Sequence, residues 1–368
     1  MYRSTDRGVS TVVDITLALL VISASVLLLG TALYSPDESP REGHPEQALE
    51  SMSATTSTVV YDLEETNETG VSTVESDTFD PPGNRDTTVS DGLYEVTTYG
   101  SSIGLLADAA LANVGFDGSD FFAYGAVYQD AVDSSIRASH VGTAGPHIGT
   151  EGSDGGTANN VYAVATWSPY EGSSLSGTAT TGQRPPPTAD VSSVSTTVSS
   201  GIPNLDSETL AREFEREETS AVGTPLVDDD RADGYDAVAT VIAEAIVEGY
   251  FPLEETQYAL ESSLTERSVA VYEYRQVADS VGVDIDDYVG ERTPHAAAAN
   301  ETLVGDIDSD DGLSTRIAAD MRNGPIGEKI DRIWAESSTD TVVDRLEKVF
   351  QRIVSPETVD VTVQTWEQ

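Results

Sequence analysis

Residues 358–366 read TVDVTVQTW, with Val359, Val361 and Val363 alternating against polar neighbours. A period of two predicts a strand with one apolar face and one wet face. The strand closes a long stretch that otherwise reads helical, so its pairing partners must lie earlier in the chain. Three segments qualify: residues 161–167 (VYAVATW), 174–181 and 190–199, each extended in character, with Pro185 to Pro187 separating the last two. A terminal strand returning to this small antiparallel sheet would tie the two halves of the chain together. The predicted fold class is α+β.

Between sheet and closing strand the composition is helical. Asp206 or Ser207 can cap a helix carrying Leu210 and Phe214. Residues 235–247 present Val238, Val241, Ile242, Ala245 and Ile246 as a buried stripe, Pro252 can open the next helix, and another runs over 265–281. Helices over 314–322 and 326–335 break at Gly324-Pro325. Residues 341–354 place Val342, Val343, Leu346, Val349, Phe350 and Ile353 on one face. Working the other way, 58–63 and 93–99 read as short strands, and 104–114 and 121–140 as helices. Residues 142–160 form a glycine-rich loop. The body thus divides into a sheet-rich region, 56–200, and a helix-rich region, 201–368. Pro36, Pro40 and Pro45 mark 35–55 as a linker.

The chain has 368 residues, 64 acidic against 19 basic, a net charge of −45 and no cysteine. That field repels phosphate backbones and excludes nucleic acid as a partner. The missing thiols exclude disulfides, zinc–thiolate and iron–sulfur sites, and cysteine nucleophiles. Acids are spread along the whole chain and only Lys329 and Lys348 are lysines. In molar salt the screening length falls to about 3 Å, which removes most of the self-repulsion. The composition is that of a folded halophilic protein.

Residues 15–33, ITLALLVISASVLLLGTAL, carry no charge. As a helix they would span roughly 28 Å, close to the bilayer core. Arg3 and Arg7 precede the run; Asp37, Glu38 and Glu42 follow it. The charge bias predicts a single-pass transmembrane helix, with residues 1–14 kept in the cytoplasm and the mixed α+β body extracellular. No small-x-small cleavage site follows the run, which favours a retained anchor over a secretory leader.

Residues 6–14, DRGVSTVVD, place a charge and a small residue directly ahead of the apolar stretch. This boundary resembles the prepilin-type leader of archaeal type IV pilins, and the chain is similar to haloarchaeal single-pass membrane proteins with a pilin-like N-terminus. The resemblance implies cleavage between Gly8 and Val9, with the helix retained to sit in lipid or pack into a filament core. In bacterial pilins an acid at the fifth mature position neutralises a neighbour's amine. Asp14 would be the sixth, about 100° further round the helix, and is read here as an anchor acid at headgroup depth, favoured by the helix N-terminus. What the resemblance implies is a minor pilin-like or pilus-associated subunit with a structural role, no catalysis and no cofactor. Its partners would be the lipid bilayer and pilins or pilus assembly platform proteins. A plain membrane-anchored exterior binding protein and an anchored exported enzyme are the alternatives.

Few motifs carry chemistry. Asn67-Glu68-Thr69 and Asn300-Glu301-Thr302 are N-glycosylation sequons. Residues 306–312, DIDSDDG, have the alternate carboxylates of a calcium loop, but Asp311 and Ile317 stand where glycine and glutamate are needed, so the segment reads as a solvated turn. The acidic runs at 228–230 and 284–287 read the same way. His140 and His147 are separated by Gly142 and Gly145, and no metal site is predicted. There is no P-loop, dinucleotide fingerprint or HExxH. Trp167, Tyr170 and Trp366 read as core or sheet-face residues.

Overall fold

The computed structural model describes residues 45–63, 95–116, 118–140, 160–220, 230–262, 265–290, 293–305, 311–336 and 339–367. All of them belong to one compact unit. Helix α1 (Pro45–Ala54) leads into β1 (Thr56–Asp62), which pairs antiparallel with β2 (Glu95–Ser101) in a sheet of their own. β2 passes directly into α2 (Ser102–Ala112), because Ser101 caps it, its Oγ accepting from Gly104 N at 3.1 Å. A two-residue hairpin follows, β3 (Gly115–Phe116) and β4 (Ser119–Asp120), then α3 (Gly125–His140). The next strands are β5 (Val161–Trp167), β6 (Leu175–Gly182) and β7 (Asp190–Ser199).

The helical part comprises α4 (Ser207–Ser220), α5 (Asp230–Tyr250), α6 (Leu253–Glu261), α7 (Thr265–Val281), the single turn α8 (Asp286–Val289), α9 (Ala296–Val304), α10 (Leu313–Asn323), α11 (Pro325–Glu336) and α12 (Thr339–Ile353). Its centre is α5, whose Val238, Ala239, Ile242, Ala243 and Ile246 are fully buried. Phe214 of α4 meets Tyr235 of α5 edge-on at 5.1 Å and lies 6.5 Å from Phe350 of α12. Val342, Leu346, Phe350 and Ile353 form the inward face of α12, as the sequence periodicity predicts.

From α12 the chain turns within a few residues into β8 (Thr358–Glu367), which lies inside the sheet and not at its margin. The order is β4-β3-β6-β5-β8-β7, antiparallel throughout, with Val361 opposite both Ala165 and Thr196. One face is apolar: Ala163, Ala165, Trp167, Leu175, Ala179, Val359, Val361 and Val363 are buried. Helix α2 packs across that face so tightly that a Cβ on Gly177 would sit 2.0 Å from Ala110 O. The opposite face is mainly Ser and Thr, with Tyr162 and Trp366 at one end and the Arg184 guanidinium 5.9 Å above the Tyr162 ring. Trp167 and Tyr170 anchor the turn out of β5. The Trp167 indole donates to Pro356 O at 2.8 Å, and the Tyr170 hydroxyl donates to Asp320 of α10, which also accepts from Ser174 N at 3.0 Å.

Two expectations change. The linker over 35–55 gives way at Pro45 to α1, which buries Ala48 and Met52. Proline is tolerated in a first helical turn, whose N–H would be unpaired in any case. The helix over 121–140 begins only at Gly125; Phe121 and Phe122 turn into the core instead. The two early strands also stand apart from the main sheet, and β7 is separated from β6 by β5 and β8. Among the described residues no helix is long and apolar enough to cross a membrane. The apolar run at 15–33, the leader at 1–8, Gly8, Val9 and Asp14 lie outside the described residues.

Candidate functional site

Where the β1–β2 pair faces the helices, a cavity of about 530 Å³ opens between β2, α6 and α7. The floor is built from α7 positions Val269, Ala270 and Glu273, a stripe at helical spacing, with Phe251 and Val96 beside it. The exposed acids Glu95, Glu255 and Glu266 line its margin.

Glu273 is the group that distinguishes this cavity. Its Oε1 accepts from the Tyr124 hydroxyl at 3.1 Å. Tyr124 stacks on Phe122 with ring centres 5.3 Å apart and lies 5.8 Å from Tyr61, which in turn lies 4.8 Å from Tyr128. Tyr250 completes the aromatic wall, 5.5 Å from Phe122, its hydroxyl donating to Leu111 O at 2.9 Å. Burial pushes the Glu273 carboxyl up to about 7, against the hydrogen bond from Tyr124, which pulls it down. The same burial, followed by the charge of Glu273, raises Tyr61 and Tyr124 well above the ordinary phenol range. Tyr128 is pushed up to about 12, again mainly by burial. The arrangement offers one carboxyl near half-titration at neutral pH, framed by rings and facing an acid-rimmed apolar cavity. It can accept a cationic or hydrogen-bond-donating group.

The residues singled out from sequence lie elsewhere. Asn300 sits within α9, its Nδ2 donating to Phe251 O at 2.9 Å and its Oδ1 accepting from the Tyr274 hydroxyl. The nitrogen a glycan would occupy thus holds the chain between α5 and α6. Asn67 and His147 lie outside the described residues, as do residues 306–310; His140 is the last residue of α3. The acidic run at 284–287 is a turn: Asp284 accepts from Asp286 N at 3.0 Å, and Asp286 pairs with Arg275 at 2.8 Å. A second, larger depression of about 1160 Å³ lies beside α5 and α9, with Glu244, Glu248 and Asp284 on its walls. Among the described residues no three His, Asp or Glu are placed to hold a metal ion.

Fold and cavity together define an α+β body in which an antiparallel sheet and a helical layer share one core. The chain belongs to DUF7284, a family of unknown function whose model matches residues 13–366, a span that takes in the apolar run as well as the described body. No curated protein and no solved structure matches it.

Proposed function

We propose that the chain is a non-catalytic, pilin-like or pilus-associated subunit of a haloarchaeal type IV pilus-type system. On this reading it is held at the cell membrane by a single helix over residues 9–34, with its α+β body outside. The observation that carries the reading is the boundary DRGVSTVVD at residues 6–14 set directly before the uncharged run at 15–33. The match of the family to a span containing both run and body supports treating them as one working unit. A halophilic setting is supported by the net charge of −45. The natural partners are lipid, pilins and the platform proteins that assemble them.

The test is the N-terminus of the mature protein isolated from membranes. Mass spectrometry should find Val9 as the first residue, and Gly8→Glu should leave the leader attached. An intact or merely Met-trimmed terminus in the unaltered protein would overturn the pilin-type reading and leave a plain anchored protein. That second reading draws on the Glu273 cavity, which suits a ligand with an amine and an apolar body. Titrating the full-length protein with such amines, and repeating this on Glu273→Gln, tests it. Equal binding by both would remove the cavity as the ligand site.

A further inference from the structure

We propose that the free edge of β7 pairs with the same edge of a second copy of this chain, joining two sheets about a twofold axis at Ser195. Among the described residues β7 is the outermost strand at one end of the sheet and is ten residues long, whereas the opposite edge, β4, has two. The phase of its hydrogen bonding is fixed by two contacts. Ser200 N donates to Glu357 O at 2.9 Å, and Trp366 N donates to Asn160 O at 3.3 Å. With Ser199 opposite Thr358, even-numbered residues of β7 bond to β8. The odd-numbered ones, Val191, Ser193, Ser195, Thr197 and Ser199, therefore aim their N–H and C=O groups outward. None of these groups has a backbone partner among the described residues.

Such edges are ordinarily guarded by charge, proline or a bulge. Among the described residues β7 beyond Asp190 carries none of these. No charged residue occurs between Asp190 and Asp206, in a chain whose net charge is −45. Two copies repel each other over most of their surfaces, and this strand is where they can meet without opposing carboxylates. It is also self-complementary. About Ser195, Val191 meets Ser199 of the second copy and Ser193 meets Thr197, an arrangement that makes about ten ladder hydrogen bonds. Side chains across the junction are small and neutral on both faces, and the partly buried Val194 and Val198 gain cover. An isologous contact of this kind closes after two copies. A contact confined to one strand pair is small, so the pair forms where copies are concentrated and separates on dilution.

The chain has no cysteine, which makes thiol trapping free of background. Ser195→Cys in the full-length protein, kept in high salt and detergent and exposed to a mild oxidant, should yield a disulfide-linked dimer. The yield should exceed that of Thr178→Cys, an exposed site on the same sheet face, by about tenfold. Adding Thr197→Pro removes one outward N–H while sparing every bond to β8, and should abolish the cross-link with the melting temperature held within about 5 °C. Adding Thr197→Lys should do the same by restoring a charge. Equal trapping at the two cysteine positions would overturn the proposal, as would trapping that survives both edge substitutions. A cross-link only to a protein of different mass would assign the edge to another partner and overturn it equally.

Discussion

A carboxyl that titrates near neutrality reverses the usual dependence of an acid's contribution on pH. The folded-state value of Glu273, about 7, lies above its ordinary value of 4.5. Between those two values the native chain holds the proton more tightly than the unfolded chain, so this group's effect on stability worsens as pH rises through the window. Asp206, lowered by hydrogen bonds from Thr209, has the opposite sign: its contribution is lost as pH falls. Glu273→Gln keeps an oxygen to accept from Tyr124 and carries no charge. Thermal melts at fixed high salt should find it equal to the parent near pH 4 and more stable by on the order of 2 kcal/mol at pH 8. Nothing in the sequence marks this residue among 64 acids. Tyr61, Tyr124, Tyr250 and Glu273 converge from four distant segments, and only the α7 spacing of Glu266, Val269, Ala270 and Glu273 hints that an acid borders an apolar stripe. A tripeptide pattern is likewise blind to the carbonyl that the Asn300 amide serves.

Elements were legible where a period ran long enough to be unambiguous. The alternation of β8, the stripe of α5 and the apolar face of α12 follow from spacing alone, because burial on one side dictates the pattern. Strand order was not legible: nothing in β7 says that β8, and not β6, lies beside it. Pro45 reads in the sequence as part of a linker because position within a helix decides what proline does. The tight seat of α2 on the sheet was equally hidden, since Gly177 looks like any small residue in a strand. Its missing side chain is what lets Ala110 O approach. Gly177→Val should cost more than about 3 kcal/mol by denaturant titration, whereas Thr178→Val, on the exposed side of the same strand, should stay within about 0.5 kcal/mol. Comparable losses at the two positions would mean that α2 does not press on the sheet.

At the scale of the whole molecule, a core that mixes residues of the sheet with those of α4 to α12 predicts a single unfolding transition, not two. The acid excess predicts that its midpoint climbs steeply as KCl is raised from about 0.2 M to about 2 M, as repulsion between carboxylates is screened. Circular dichroism and tyrosine fluorescence should trace the same curve at each salt concentration; separated curves would divide the body into independent parts. The position of β8 has a further consequence for biogenesis. β8 follows the whole helical layer in chain order, so β5 and β7 lack the strand that lies between them until that layer has been made. The sheet can therefore close only after α4 to α12 have emerged, which makes its assembly a late, long-range step.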